Sequence, residues 1–309
     1  MAESVSQSQE AVLAPAPSLG KPSKGLFRQF WRIMRGYPVI PGGILISLVV
    51  MAAIGPAFAP YPRDIGELSD RHIAPFHRSE ATGNYYLLGT DHVGRDIFTR
   101  MLFGSRISLV VVSVALVSGT VLGVTLGVVS GYYGGAVDEV ITRFVDIWYA
   151  LPFLLTALIL TLIFGRGLPV LVCVLALLAW VGYVRVLRAQ ALILRELDYV
   201  NSARICGAGD IRILWRHIMP GVLNTAIVIA TLNTAGLFLA ESVLSFVGAG
   251  IQPPTPAWGV MVNDGRDYIE FAWWQTIIPG GAIFLIVISL NFSGDWLRDK
   301  LDPRLRQLT

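Results

Sequence analysis

Six long apolar runs without an acidic or basic residue at their centres constrain this 309-residue chain more than any other feature. A bilayer core takes about 20 apolar residues as helix, and a charge at the centre of such a helix costs roughly 2.5–3.5 kcal/mol. The runs cover residues 38–59, 107–131, 145–164, 168–184, 221–240 and 276–294. The sequence therefore predicts an all-α polytopic membrane protein with six transmembrane helices.

Composition agrees with this class and excludes others. Charged residues make up 15% of the chain, against about a quarter in soluble domains. The net charge of +3 is small and no basic stripe with interleaved aromatic residues occurs, so we predict no nucleic-acid partner. Cys173 lies in an apolar run and Cys206 in a polar loop, which argues against a disulfide. The four histidines show no ligand spacing, so we predict no metal site.

The charges at the run ends predict the topology. Sixteen of the 24 Lys and Arg lie in segments that share one side if both termini are cytosolic, as the positive-inside rule requires. Basic and aromatic residues alternate before the first run, so we expect contact with membrane lipid there. We divide the chain into a disordered cytosolic tail, a first helix with an outer loop, a core of five helices, and a second cytosolic tail. The ranges are 1–25, 26–106, 107–297 and 298–309.

The outer segment before the second run combines charges with helical spacing of apolar residues. From Arg95 onwards this spacing predicts a short interfacial helix that leads into the run. Asp91 and Asp96 are predicted to pair with Arg95, Arg100 or Arg106. Two interpretations remain open: a charge-paired elbow that fixes the angle of the helix, or a docking surface for an outer partner.

Small residues and a proline characterise the second and third runs. Gly123 and Gly127 have the spacing of a close helix-packing face. Gly134 and Gly135 predict a tight turn between the two runs. Pro152 predicts a kink in the third run, either as a hinge or cavity wall or as a purely structural feature.

The stretch from Tyr199 to Pro220, inside the polar segment 185–219, is unusually structured for a connection between membrane helices. Tyr199, Ala203 and Cys206 share one face of a predicted helix. A small-residue face followed by a glycine turn suits a helix that lies in a groove of another protein. The alternative is an amphipathic helix that rests on lipid headgroups.

Three features within this stretch are predicted to begin or end helices. Gly207-Ala208-Gly209 is predicted to stop the helix. Asp210 is predicted to cap the next short helix. Pro220 is predicted to separate that helix from the fifth run.

Several motifs are absent from the sequence. It contains no G-x4-G-K-[ST] phosphate loop, no H-E-x-x-H and no G-x-S-x-G. The centres of the runs hold no ionisable residue of the kind an ion-coupled carrier needs. We therefore expect neither an enzyme nor a self-sufficient carrier, but a transporter part whose energy comes from a partner.

Several segments together resemble the inner-membrane permease subunits of bacterial dipeptide/oligopeptide/nickel ABC importers, the C-type partner. The segments are LGTDHVGRD at 88–96, GYYGGAVDEVITRFVDIWYALP at 131–152, LSFVGAGIQPPTPAWG at 244–259 and GDWLRDKLDPR at 294–304. The resemblance covers about residues 30–305. Their order and distances make the combination specific.

The family's coupling-loop pattern, E-A-A-x3-G-x9-I-x-L-P, falls on the stretch 199–220. The aligned residues are Asn201, Ser202, Ala203, Gly207, His217, Met219 and Pro220. Ala203, Gly207 and Pro220 agree with the pattern, whereas Asn201 stands where the family has Glu. The resemblance thus implies an ATPase-coupling loop that contains Asn201, Ser202, Ala203, Gly207, Ala208, Gly209 and Pro220.

The resemblance also implies the fold and the partners. It implies the type I ABC importer (MetI-like) permease fold in a bacterial inner membrane. A homologous second permease would share the path, and two ATPase subunits would bind ATP and Mg on the cytosolic side. A periplasmic or lipid-anchored substrate-binding protein would deliver substrate. The chain itself would hold no cofactor and no catalytic residue.

The substrate and the outer gate are open at this stage. Peptides are favoured over nickel, because the six runs hold no His and only one Met, Met51. Glycosides and a stand-alone carrier remain alternatives. Glu241 is a candidate for contact with a peptide amine, or else pairs with an arginine or is solvated. Glu241 and the loop residues Pro253, Pro254 and Trp258 form a candidate periplasmic gate or plug. The prolines favour an extended conformation of this loop. The alternative interpretation is a structural hairpin.

Overall fold

The structure is a computed structural model that describes residues 38–301. The tail predicted at 1–25, the basic aromatic segment before the first run and residues 302–309 lie outside the described residues. The α-helices are α1 (Val39–Ile54), α2 (Ile97–Tyr133), α3 (Gly135–Ala150), α4 (Phe153–Phe164), α5 (Leu168–Leu194), α6 (Asp198–Ile205), α7 (Asp210–Ile213), α8 (Met219–Phe246), α9 (Trp258–Gly265) and α10 (Trp274–Leu301). One short antiparallel hairpin pairs β1 (His77–Arg78) with β2 (Tyr85–Tyr86).

Within residues 38–301, five helical segments are long and apolar enough to cross a membrane. They are Val39–Phe58, Ile97–Tyr133, Leu168–Leu194, Asp210–Phe246 and Trp274–Leu301. Their most apolar windows have mean hydropathies of 1.7 to 2.4. Most of the helices are longer than the predicted runs. The runs were delimited by their apolar residues, so they leave out the more polar ends of the helices. The short interfacial helix predicted before the second run is simply the start of α2.

The third predicted run, 145–164, is not one straight helix. Helices α3 and α4 meet at 90° across a break at residues 151–152, and they count as a sixth span only when taken together. Pro152 has no amide hydrogen and its ring excludes the helical conformation before it, so Leu151 is extended and Pro152 caps α4. The predicted kink in the third run is confirmed, and it divides the run into two helices.

Helices α2 and α5 form the most extensive helix pair, and glycine makes this possible. A Cβ added at Gly123 would lie 2.4 Å from Tyr183 Cβ and 2.5 Å from the Trp180 carbonyl oxygen. Gly119, Gly127 and Gly131 also face α5, where an added Cβ would lie 2.4, 3.0 and 2.6 Å from the nearest atom. Small residues at this spacing let the two backbones touch, so the predicted packing face is confirmed.

The interior is divided between the two ends of α2. One buried apolar cluster joins the first half of α2 to α1, α5, α8, α9 and α10. A second cluster surrounds the last turns of α2 and contains Tyr132, Val200, Ile213 and Ile218. At that end Gly134 and Gly135 have φ of +66° and +53°, which confirms the predicted tight turn into α3.

Residues 60–96 and 247–273, here called the cap, pack against the N-terminal end of α2. Asp96 accepts a hydrogen bond from the Thr99 amide at 2.8 Å and so caps α2 instead of pairing with an arginine. The proline segment is not extended: the Thr255 amide closes a turn onto the Gln252 carbonyl at 3.2 Å. Helix α2 has 37 residues, so its two ends lie about 55 Å apart.

Candidate coupling loop and groove

Helix α6 ends in the glycine turn that the sequence predicts. Gly207 has φ +81°, a left-handed conformation that favours glycine. The Gly207 amide donates to the Arg204 carbonyl and the Ala208 amide donates to the Ala203 carbonyl, both at 3.0 Å. These two bonds make a Schellman motif, which satisfies the last carbonyls of the helix and reverses the chain.

Two other predictions for this stretch are wrong. Gly209, not Asp210, precedes the first turn of α7, and Asp210 makes no capping bond. Pro220 does not end the helix either, since one helical segment runs from Asp210 to Phe246. A π-helical turn, Leu214–Ile218, widens the helix just before the proline, which then occupies the first turn of α8. The proline fits inside this continuous segment because the wider π-helical turn before it relieves the clash between the proline ring and the preceding turn.

The remaining coupling-loop residues lie together on α6 and the turn after it. The Asn201 side chain donates to the Glu196 carbonyl and accepts from Arg204, both at 3.3 Å. This asparagine therefore fixes the start of α6 within the chain. Ser202, Gly209 and Pro220 are exposed.

The coupling loop exposes large apolar side chains. Ile205 is 86% exposed, Ile211 73% and Trp215 68%. On the opposite side, Val200 and Ile213 are fully buried in the second cluster, so the loop is anchored from beneath. A firmly held loop with an apolar outer face has the properties of a docking surface.

A groove of about 500 Å³ opens between α3, α4, α5 and α8. It is lined by Tyr149, Phe153, Leu154, Leu178, Ala179, Gly182, Asn233, Gly236, Leu237, Leu239, Ala240 and Val243. None of these side chains is charged, and Asn233 supplies an amide. Residues on both sides of Pro152 take part, so the bend forms a wall of this cavity. Beside it, Arg185 pairs with Asp146 at 2.7 Å and lies 4.1 Å from the Tyr149 ring centroid.

Glu241 does not reach this groove. It is completely buried, and its carboxylate accepts hydrogen bonds from Ser108 at 3.1 Å, Ser245 at 3.0 Å and Ser242 at 3.4 Å. The alternatives of an arginine partner and of solvation are therefore wrong in this structure. Three hydroxyl donors from α2 and α8 take the place that water or a cation would otherwise fill.

The other predicted gate residues divide between interior and surface. Trp258 is buried, and its indole donates to the Met101 carbonyl at 3.1 Å, which ties the start of α9 to α2. Pro253 and Pro254 are exposed, and the Pro254 carbonyl accepts from Arg100 at 3.3 Å. The loop is therefore fixed against the end of α2.

Residues 123–307 match the family described as "Binding-protein-dependent transport system inner membrane component". The chain belongs to this family. It is therefore a membrane component of a transport system, and its fold is that of the ABC importer permeases. Membership also accounts for an ordered loop with an unpartnered apolar face, because a component of this kind works within a larger assembly.

Curated relatives match nearly the whole chain. The chain is 36% identical over 295 residues to the dipeptide transport system permease protein DppC of Bacillus subtilis, covering 94% of this chain and 90% of that protein. It is 38% identical over 298 residues to the di/tripeptide transport system permease protein DppC of Pseudomonas aeruginosa, covering 95% and 97%. The glutathione transport system permease protein GsiD of Pectobacterium atrosepticum is 36% identical over 301 residues, covering 96% and 98%.

A solved structure of the MetNI methionine ABC transporter has the same fold. The TM-score is 0.53 at 18% identity, and the match covers 66% of this chain and 96% of that chain. This likeness confirms the predicted MetI-like helical fold. It extends the family assignment to the arrangement of the permease helices.

The cap of this permease contains a charge cluster that the sequence revealed only in part. Arg95 pairs with Asp91 at 2.6 Å as predicted, and Arg100 lies 3.7 Å from Asp91. The missed member is Asp264, which lies 3.4 Å from Arg95 and 3.8 Å from Arg100. Burial raises the pKa of Asp264 despite these two arginines. Burial also raises the pKa of Asp96 against its capping bonds.

Proposed function

We propose that this chain is a permease subunit of an ATP-driven, binding-protein-dependent importer of dipeptides or oligopeptides. It lies in a bacterial inner membrane with both termini in the cytosol. A homologous second permease completes the path, two ATPase subunits with ATP and Mg²⁺ dock on the coupling loops, and a periplasmic or lipid-anchored binding protein delivers substrate. The cap then faces the periplasm.

The coupling loop is the observation that carries this proposal. Ile205 and Ile211 flank the Gly207 turn and expose apolar surface on a segment that is anchored beneath by buried side chains. The sequence holds no phosphate loop of its own. An apolar docking face on a permease without its own nucleotide site is what attachment of separate ATPase subunits requires.

ATP acts through this surface by favouring one of two states. Closure of the ATPase pair draws the two coupling loops together, and the helices tilt from an inward-open to an outward-open arrangement. Only a difference in ATP affinity between the two states is needed. Release of the hydrolysis products returns the permease to the first state.

The groove supports peptides as the substrate class. Its lining is uncharged among the described residues, and Asn233 supplies both a donor and an acceptor for a peptide bond. Such a lining does not select for side-chain charge, which suits peptides of mixed composition. The relatives are named for dipeptides, di- or tripeptides and glutathione. Within residues 38–301 no group of three His, Cys, Asp or Glu could hold a metal ion, so nothing there favours nickel.

Reconstitution of the purified complex tests the proposal. The tagged chain, extracted in mild detergent, should bring down a second permease and ATPase subunits that mass spectrometry identifies. In liposomes with the binding protein and ATP, the complex should import labelled dipeptide. Gly207→Pro should abolish import, because proline cannot adopt φ +81° and removes the amide bonded to Arg204. Gly209→Ala, at φ −69°, is the control and should import normally.

Two results would refute this function. A chain that purifies alone and takes up solute along an ion gradient would be a secondary carrier. A complex in which Gly207→Pro imports at the wild-type rate would remove the coupling role from the loop.

A further inference from the structure

A charged pair lies at one end of the groove. The Arg185 guanidinium carbon is 4.1 Å from the centroid of the Tyr149 ring, and Arg185 donates from Nη2 to the Asp146 carboxylate at 2.7 Å. Tyr149 lines the groove, and Gly182, another lining residue, precedes Arg185 by one turn of α5. From there α5 continues towards the coupling loop. The pair therefore borders the groove at its coupling-loop end.

The other charged side chains of α3, α4, α5 and α8 already have partners. Asp138 binds Arg188 through both carboxylate oxygens. Glu139 pairs with Arg143 at exposed positions of α3. Glu241 is buried and accepts hydrogen bonds from three serine hydroxyls. The remaining pair is the one that contacts a lining residue of the groove.

Arg185 keeps most of its hydrogen-bonding capacity. A guanidinium has five N–H donors, and within residues 38–301 Arg185 uses one of them, on Asp146. About half of each side chain is exposed, 52% for Arg185 and 56% for Asp146. By contrast, Arg188, one turn further along α5, uses two nitrogens on Asp138 and is 34% exposed. Arg185 can therefore donate to a second carboxylate while it keeps its bond to Asp146.

Peptides supply such a carboxylate. Every peptide with a free C-terminus carries one there, whatever its side chains are. The lining of the groove is uncharged, so it cannot compensate this charge when water is removed from around it. A planar guanidinium at the border of the groove can do so through two parallel N–H···O bonds.

We propose that Arg185 binds the C-terminal carboxylate of a peptide at the coupling-loop end of the groove. Asp146 is a positioning residue, because it holds the guanidinium beside the Tyr149 ring and balances its charge between two transported peptides. This inference rests on the proposed function and adds the part of the peptide that the permease recognises. Recognition of a terminus that these peptides share is compatible with a groove that does not select for side-chain charge.

Binding of dialanine to the assembled complex tests the site. The complex is purified without the binding protein and without ATP. Saturation-transfer NMR then measures the apparent Kd of dialanine, of its C-terminal amide and of its N-acetyl derivative. The wild-type complex should bind dialanine about three- to tenfold more tightly than the amide, the range expected for a charge-assisted bond at a half-exposed site. The N-acetyl derivative keeps the carboxylate and should bind like dialanine.

Two variants separate recognition from a structural role. Arg185→Gln should lose the preference for dialanine over its amide. Asp146→Asn removes the competing carboxylate and should keep or increase that preference. Arg143→Gln breaks the exposed pair with Glu139 and is the control, which should retain the wild-type preference. If the pair were only structural, Arg185→Gln and Asp146→Asn would both lower the yield of assembled complex and leave the preference unchanged.

Several results would overturn the proposal. They are equal binding of dialanine and its amide to the wild-type complex, no detectable binding of either, and an unchanged preference in Arg185→Gln. Weaker binding of the N-acetyl derivative than of the amide would assign recognition to the peptide amine and would overturn it as well. Each of these results leaves the proposed function intact if the complete system imports labelled dipeptide with ATP and the binding protein. Failure of that import would contradict the proposed function, on which the inference rests.

Discussion

The cap and the coupling loop lie at opposite ends of α2. They differ in which side chains they bury and which they expose. The cap buries charged side chains and gives several of them partners within the chain. Asp70, fully buried, accepts hydrogen bonds from Thr82 at 2.6 Å and Tyr86 at 2.7 Å and from Ser79. The coupling loop instead leaves Ile205 among the most exposed apolar side chains of the described residues.

This difference indicates which region is stabilised by contacts within the chain and which region exposes a surface that a partner can cover. Burial alone would raise the pKa of Asp70, but the hydroxyl donors lower it below its usual value. Burial and the hydrogen bond to Asp70 raise the pKa of Tyr86 to about 12. Such internal matching predicts a cap whose stability depends on its own residues. The exposed face of the coupling loop predicts a segment whose substitutions affect assembly more than folding.

The largest expected effect comes from removing a charge from the cap. Arg100 is 1% exposed and lies between Asp91 and Asp264. Arg100→Met keeps much of the volume but leaves two buried carboxylates without this cation, at an expected cost of about 3–5 kcal/mol. Thermal unfolding of the purified chain in detergent measures the loss. Arg266→Met breaks only the exposed pair with Asp267 and should melt within a degree or two of wild type.

Equal melting of these two variants would contradict the cap as a self-contained unit. A loss in Arg100→Met that is recovered by binding of the substrate-binding protein would show that the cap, too, depends on a partner.

The second effect tests the helix pair that connects the two regions. Gly123→Ala adds a Cβ 2.5 Å from the Trp180 carbonyl oxygen, and neither backbone can yield cheaply. Overpacking of this kind costs about 1–3 kcal/mol. Gly281→Ala is the matched control, because nothing lies within 4 Å of its added Cβ and a helical alanine is favoured. Urea or thermal titration in detergent should rank Gly123→Ala well below wild type and Gly281→Ala at or above it.

Local patterns in the sequence predicted the parts of this architecture that depend on nearby residues. The apolar runs, the spacing of Gly123 and Gly127 and the stop at Gly207 each express a rule that acts over a few residues. They were correct because lipid solvation, close helix packing and left-handed φ leave few alternatives. The same means singled out the stretch 199–220, and the family pattern fixes which of its residues are the candidate coupling residues.

The errors concern residues whose neighbours come from distant parts of the chain. Asp264 joins Arg95 across 169 positions, and Glu241 meets Ser108 across 133. No periodicity reports such pairs. The 90° bend at Pro152 required knowing what α3 and α4 pack against. Pro220 was misjudged for a different reason: the rule against proline in helices holds for regular α-helix, and the π-turn before it removes the conflict.

A smaller effect is expected inside the coupling loop. Gly207→Ala forces a side chain into a left-handed conformation at φ +81°, which costs about 1–2 kcal/mol. The cost is local, so the Ala208 amide should exchange hydrogen faster while the melting temperature of the bundle hardly changes. Gly209→Ala, at φ −69° with open space around it, should exchange like wild type. If Gly207→Ala lowered the melting temperature as much as Arg100→Met, the stability of the whole helical bundle would depend on the loop.

The smallest effect is a pH dependence in the cap. Burial, together with the positive charges of His92 and Arg71, lowers the pKa of His72 below 6.5, and nearby Asp91 only partly opposes this. The His72 ring lies 4.7 Å from the Tyr268 ring, and its Nδ1 is 2.9 Å from the Gln275 amide.

Because the folded state favours neutral His72, its contribution is complete above the unfolded pKa near 6.5 and is lost as the pH falls below that value and through the lowered folded pKa. The protection factors of the amides across residues 60–96 should therefore fall as the pH is lowered from 7.5 to 5.5, while those of the coupling loop should stay constant. His72→Gln should flatten this dependence, and His77→Gln, at an exposed position, should leave it intact. If lowering the pH reduces the protection of the coupling loop as much as that of the cap, the buried titratable groups of the cap are not the cause of the change.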